Sequence, residues 1–347
     1  MYPKTLMTST AIIPVGEVDL PVDPALPGYA SLCQTSQLKA TLSPALAQWL
    51  GPDAQLLEVR TYLRRLFPGK RCTVQLELTI GRKDGVVEHR RLLGKLYRDD
   101  PTTSVYSTLM ELSRHGLGAG RFLVPQPVAR VPEYHLLLLT WAEGELLSSL
   151  LLTHPNATQE VTGAAEWLLT LHNCGLRIGR RYSFPAHLQT LAKWKELLTE
   201  VYPEGERLLS ALLARCEERG RELSGWVSGP THRDFTPEHL VVLGNQFTCL
   251  DFDEFCQYDP LFDVAHFTAH LRFLGLTHFG ALNSFDSLAN RFQAAYQAGT
   301  ERYSEERLNL FKAISYFKLG RFVALVQRPE RWQEMLSELL NEARRFL

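Results

Sequence analysis

Two acidic segments, with a short apolar stretch between them, hold the residues in this chain best suited to chemistry. Asp234 closes Thr231-His232-Arg233-Asp234, and Asp251 sits in Leu250-Asp251-Phe252-Asp253. Between them, residues 240–243 and 247–250 are apolar runs separated by Gly244-Asn245, a dipeptide that accepts positive φ and suits a tight reversal. A hairpin brings its ends together, so the two carboxylates are expected side by side. Two carboxylates on rigid supports suit a division of labour. One orients or deprotonates a hydroxyl, and the other holds Mg²⁺ against phosphate oxygens. His239, five residues after Asp234, and Asp253 and Glu254, just after Asp251, are further donors in the same stretch. A loop of capping aspartates in an ordinary α+β domain is the other reading of these residues.

The elements that must position this stretch follow from periodicity. Residues 1–27 carry many prolines and few helix signals, so an irregular extension is expected. Residues 38–50 have apolar side chains at helical spacing around Ser43-Pro44, a start signal, and a short helix should end at Gly51. Residues 56–66 have strand character, and Phe67-Pro68-Gly69-Lys70 reads as a turn. Cys72, Val74, Leu76 and Leu78 then alternate with polar residues, the period of a half-buried strand. A third strand is expected over 86–97, ending in Gly94-Lys95-Leu96-Tyr97. A helix over 104–115 and strand segments at 124–128 and 135–140 follow. Helices are expected over 158–172, 188–201, 204–223, 263–274, 284–298, 304–327 and 329–346. The domain organisation predicted is an extension with a short helix over 1–54, a sheet lobe over 55–143 and a mostly helical lobe over 144–347.

The composition sets outer bounds. With 347 residues and 45% hydrophobic content the chain can bury two substantial cores. Its 37 basic and 38 acidic residues give a net charge of −1, which offers nothing to a nucleic acid or an anionic membrane. No apolar run approaches a membrane span. The N-terminus has only a short apolar patch broken by Pro14, unlike a signal peptide. Six scattered cysteines show no Cys-x-x-Cys pairing, and a reduced cytoplasmic compartment suits them.

His232-Arg233-Asp234 with His239, then Leu250-Asp251-Phe252-Asp253, then Asp259-Pro260-Leu261-Phe262-Asp263-Val264-Ala265 together resemble the aminoglycoside phosphotransferase and choline kinase superfamily. That family reads His-Gly-Asp-x-x-Pro-x-Asn, a hairpin, Ile-Asp-Phe-Asp, and Asp-Pro-x-x-Asp-Leu-Ala; weaker similarity extends over residues 56–275. The resemblance implies an α+β, bilobal protein-kinase-like fold, with a small antiparallel-sheet N-lobe and a larger, mostly helical C-lobe behind an N-terminal extension. It implies that Asp234 orients or deprotonates the acceptor hydroxyl and that Asp251 ligates Mg²⁺. His239 takes the place of the family's second metal ligand, an asparagine, and Asp253 is near enough to assist. Imidazole is a softer donor than an amide oxygen, so Mn²⁺ becomes an alternative metal. Lys95 matches the strand-three lysine that holds ATP phosphates. The turn with Lys70 and Arg71 stands where the family covers the phosphates, and backbone at 140–143, with Trp141, Ala142 and Glu143, would meet adenine. His172, His232 and Asp263 match structural positions. Arg233 replaces a glycine and is expected to pair within the acidic cluster. The glutamate that partners the strand lysine is missing near Val105 and Tyr106, and Glu111 is the nearest acid.

The function expected from this resemblance is ATP- and Mg²⁺-dependent transfer of the γ-phosphoryl group to a hydroxyl of a small molecule: a sugar, amino sugar, aminoglycoside or choline-like compound. The short run from Asp251 to Asp263 leaves little room for an activation loop, which favours a small acceptor. Asp253, Glu254 and Asp259 would suit a cationic one. The alternative is a nucleotide-binding, pseudokinase-like regulatory or scaffold protein, prompted by His239 and the missing glutamate.

Overall fold

The computed structural model describes residues 13–14, 23–32, 35–154 and 156–347. It divides into two compact units: Met1–Ser113 with Pro125–Ala142, and Arg114–Val124 with Glu143–Leu347.

Alternation builds the first unit. In the Arg71–Arg82 strand Cys72, Val74, Leu76, Leu78 and Ile80 recur at every second residue and are all buried, as one face of a pleated strand requires. The Ala54–Phe67 strand lacks such regularity, because Leu56, Val59, Leu63 and Leu66 are its buried apolar residues. Register shifts between Leu56 and Glu58 and between Leu63 and Arg65 absorb the odd residues and return these side chains to one face. The sheet is antiparallel and ordered Ile13–Pro14, Ala54–Phe67, Arg71–Arg82, Val87–Tyr97, Leu136–Thr140, Pro127–Val131. Pairing of Ile13 with Leu63 makes part of the expected irregular extension an edge strand instead. The remaining residues of that extension up to 22 lie outside the described residues.

The helix Thr35–Leu50 packs Leu38, Leu42, Leu46 and Leu50 into the core of this sheet, an i, i+4 stripe. Pro44 lies inside it, so Ser43-Pro44 is not its start; the Ser43 hydroxyl donates to the Lys39 carbonyl at 2.8 Å. Four buried leucines outweigh the one amide hydrogen bond that proline removes. The opposite face of the Val87–Tyr97 strand carries Lys95, in register with Thr73 and Leu137.

The second unit is mostly helical. Thr158–Asn173, Leu261–Phe279, Asp286–Ala298 and Glu305–Phe322 bury Trp167, Phe262, Phe267, Phe292, Phe311 and Phe317. Leu261–Phe279 is buried on every side from Leu261 to Ala269, so it lacks the one-sided stripe that marks a surface helix and starts earlier than its pattern suggests. The hairpin pairs Leu240 with Cys249 and Leu243 with Gln246, and Gly244 in its turn has φ 58°. Short strands extend it on both sides, Phe122–Leu123 in parallel and Glu145–Leu146 antiparallel. A second small sheet is ordered Gly229–Thr231, Cys256–Tyr258, Arg180–Arg181. Among the described residues no helix is long and apolar enough to cross a membrane.

Candidate active site

The segment that carries Asp234 leaves the Gly229–Thr231 strand, and the segment that carries Asp251 leaves the hairpin. Asp263, fully buried on the Leu261–Phe279 helix, ties the first segment down. Its Oδ2 accepts from the His232 amide at 2.7 Å and its Oδ1 from the Arg233 amide at 2.7 Å. His172 Nε2 reaches the same Oδ2 at 3.1 Å, while Tyr296 contacts His172 Nδ1 at 2.7 Å. His172 and Asp263 therefore brace the loop from within the protein. His232 donates through Nε2 to the Leu250 carbonyl at 2.9 Å and accepts the Asp234 amide on Nδ1 at 3.3 Å. This joins the two acidic segments through one neutral imidazole, and burial holds its pKa below the ordinary histidine value.

Arg233 has φ 71° and Asp251 has φ 62°, left-handed backbone that glycine adopts without strain. That backbone suits the glycine that the resembled family carries where Arg233 stands. Here arginine accepts the strain and uses its side chain: the guanidinium lies 3.6 Å over the Tyr182 ring and reaches Glu254 at 3.3 Å. Glu254 also accepts from Arg180 at 2.6 Å, so its charge is neutralised.

The two oxygens of Asp234 are treated differently. Oδ1 accepts from Lys318 Nζ at 2.7 Å and lies 3.2 Å from His266 Nε2. Oδ2 accepts no hydrogen bond from a described residue, and the side chain is 30% exposed. Burial would raise the pKa of this carboxyl, but Lys318, His266 and His239 outweigh it and hold the group well below the ordinary aspartate range. Asp234 is thus ionised with one oxygen held and the other open. Neither Lys318 nor His266 was singled out from the sequence. His266 stands at the end of the recognised stretch, while nothing local marks Lys318.

His239 sits between the two carboxylates. Its Nδ1 donates to the Asp234 carbonyl at 2.7 Å and lies 3.7 Å from Asp234 Oδ2; its Nε2 lies 3.7 Å from Asp251 Oδ2. With Nδ1–H used on the carbonyl, Nε2 keeps its lone pair on the Asp251 side. One imidazole nitrogen and one carboxylate oxygen at this spacing fit two ligands of a single cation. Among the described residues no group of three His, Cys, Asp or Glu side chains converges on a metal position, so Asp253 does not complete a cage with them. Mg²⁺ habitually keeps waters and takes phosphate oxygens, and two protein donors suit such a site.

In the first unit Lys95 is 6% exposed, with Nζ 5.6 Å from the Tyr97 ring centre. Gly94 beside it lies close to Val74, whose Cγ2 an added Cβ would meet at 2.8 Å. The Phe67–Arg71 turn differs from expectation. Its Gly69 amide donates to the buried Asp23 carboxylate at 2.7 Å, and its Lys70 amide donates to the Phe67 carbonyl at 3.0 Å. Two backbone amides of the turn that stands where the resembled family covers the phosphates are therefore committed within the protein. Lys70 itself is exposed, and the Arg71 guanidinium lies 5.0 Å from the Phe67 ring. The Thr140 amide is likewise used, on the Gln126 carbonyl at 2.9 Å. Trp141 lies within 5.5 Å of Arg64 and 5.3 Å of Arg91, and the chain passes from the first unit to the second between Ala142 and the exposed Glu143.

Asp259 also departs from expectation. It is 2% exposed, ion-paired with buried Arg307, and caps the Leu261 amide at 3.1 Å, so it supplies no charge to an acceptor.

With this geometry in place, similarity to known proteins adds an independent line. The model of a phosphotransferase enzyme family matches residues 86–305, more than half of the chain. A comparison with curated proteins found no match. Among solved structures, the amicoumacin kinase hAmiN in complex with AMP-PNP, Ca²⁺ and Ami is 13% identical, with a TM-score of 0.60 over 90% of this chain and 94% of that one. A choline/ethanolamine kinase family protein from Mesorhizobium loti is 14% identical, with a TM-score of 0.55 over 90% and 94%. A thermostable mutant of an aminoglycoside phosphotransferase, in a ternary complex with AMP-PNP and hygromycin B, is 12% identical, with a TM-score of 0.59 over 88% and 97%. At these identities the likeness is one of fold, and it is the kinase-like fold expected from the motifs.

Proposed function

Because the chain belongs to the phosphotransferase enzyme family, we propose that it is an ATP- and Mg²⁺-dependent small-molecule kinase, with Asp234 as its catalytic residue. The observation that carries this is the divided environment of Asp234: Oδ1 is held by Lys318 and His266, and Oδ2 is open on the side of His239 and Asp251. An ionised carboxylate with one fixed oxygen presents the other to a hydroxyl in a defined direction, which is what orienting or deprotonating an acceptor needs. Asp251 and His239 would hold the metal, which would neutralise phosphate charge as the phosphoryl group moves. Lys95, on the sheet face away from the helix Thr35–Leu50, is assigned to phosphate, and the backbone near Trp141, Ala142 and Glu143 to adenine. Lys70 and Arg71 are left as side-chain rather than backbone contacts to phosphate. Free cysteines at positions 72, 174, 216, 249 and 256 suit a reducing, cytoplasmic setting.

The test has two parts. ATP binding is titrated with and without Mg²⁺, and acceptor-dependent ATP consumption is followed across sugars, amino sugars, hydroxy acids and choline, with products identified by mass. Mg²⁺-dependent binding with a phosphorylated product is expected. Binding without transfer to any acceptor would replace the enzyme by a nucleotide-binding regulatory protein.

A further inference from the structure

The helix that supplies Lys318 to Asp234 carries a second cation, Arg321. Lys318 and Arg321 stand three residues apart on the Glu305–Phe322 helix, neighbours on one face. Lys318 is neutralised by Asp234. Arg321 is half-buried, with its guanidinium 5.0 Å from the Trp194 ring, and its Nε is buried without a hydrogen-bond partner. No described carboxylate pairs with it, and burial alone pushes its pKa down. Trp194 belongs to the Phe184–Val201 helix, as does His187, whose pKa is lowered by burial and then by the charges of Arg233 and Lys318. Of the acids that read from the sequence as suited to a cation, Glu254 is paired with Arg180 and Arg233 and Asp259 with Arg307.

A guanidinium withdrawn from water without a counter-charge is costly, and the cost is removed when an anion arrives from outside. Stacking on an aromatic ring leaves the edge of the guanidinium, with its fork of donors, for a planar or tetrahedral oxyanion. Both cations lie beyond residue 305, where the family match ends, so they belong to this chain rather than to the matched pattern.

We propose that Arg321, with Lys318 beside it, recognises an oxyanion on the acceptor, a carboxylate or a phosphate ester carried near the hydroxyl. This rests on the reading of Asp234 as the residue that receives that hydroxyl. The acceptor is then a hydroxy acid or a phosphorylated polyol rather than a polycation, and like charge at Arg321 discriminates against choline-like and aminoglycoside molecules.

Calorimetric titration of glycerate, glycerol 3-phosphate, glycerol and choline into the full chain tests this without requiring turnover. The anionic probes should bind at least about tenfold more tightly than glycerol or choline, a gap of roughly 1.4 kcal/mol. Arg321→Gln should abolish that gap at an unchanged melting temperature, and Arg321→Lys should keep most of it. The tighter of the two anionic probes distinguishes carboxylate from phosphate ester. Equal binding of anionic and neutral probes overturns the proposal, as does anionic binding unaffected by Arg321→Gln, which would place the anion elsewhere. Turnover is read separately. A fall of about tenfold in the ratio of kcat/KM for anionic over neutral acceptors in Arg321→Gln supports the proposal. If the anionic probes bind through Arg321 but no acceptor is phosphorylated, the anion site stands and the phosphotransferase reading fails.

Discussion

Asp234 shows how much a single carboxylate depends on what holds each oxygen. Lys318 and His266 meet at Oδ1, and the ring of His239 stands beside Oδ2. Asp234→Asn keeps the shape and removes the charge that we propose orients the hydroxyl. The expected result is a fall in kcat of roughly a hundred- to ten-thousand-fold with little change in KM for ATP, measured by steady-state turnover. His239→Asn asks a different question. An amide oxygen suits Mg²⁺ better than imidazole does. If Nε2 ligates the metal, the variant should keep or raise Mg²⁺-supported activity and lose any preference for Mn²⁺. His239 also donates to the Asp234 carbonyl at 2.7 Å. Unchanged metal dependence beside a lower melting temperature would leave it only that bracing role.

At the scale of elements, the hairpin and its flanking strands aim both acidic segments. Gly144 lies tight against the hairpin: its φ is 125°, and an added Cβ would stand 2.3 Å from the Val242 carbonyl oxygen. No flexible side chain can yield there, since the obstacle is backbone. Gly144→Ala should therefore destabilise the second unit by about 2 kcal/mol or more and weaken activity with it, as thermal melting and turnover would show. An alanine variant that melts like the wild type would mean that the Glu145–Leu146 strand can move away from Leu240–Leu243 without consequence.

Across the whole molecule, one buried ion pair joins distant parts of the second unit. Arg307 on the Glu305–Phe322 helix and Asp259 ahead of the Leu261–Phe279 helix are 4% and 2% exposed. Arg307→Met leaves a buried carboxylate without its counter-charge and should cost about 3–5 kcal/mol in chemical denaturation. Adding Asp259→Asn removes the stranded charge while an amide oxygen can still cap the Leu261 amide, so the double variant should recover part of that loss. Additive losses would show that the two residues act independently.

Local pattern settled a large part of this protein. The alternation of Cys72, Val74, Leu76 and Leu78, the two-residue turn at Gly244-Asn245 and the spacing of Asp234, His239, Asp251 and Asp263 are all visible in short stretches of sequence. The strand, the hairpin and the loop anchored on Asp263 stand where those stretches put them. A turn or a strand is decided by neighbours in the chain, so its signal is local. Other features had no such signal. Lys318 reaches Asp234 across 84 residues, and the Asp23 carboxylate takes the Gly69 amide across 46. Asp259 reads as one more acid in an acidic stretch until Arg307 is seen against it. Whether a charge is open to a ligand or answered from within depends on which distant side chain arrives beside it, and only the packed tertiary structure decides that.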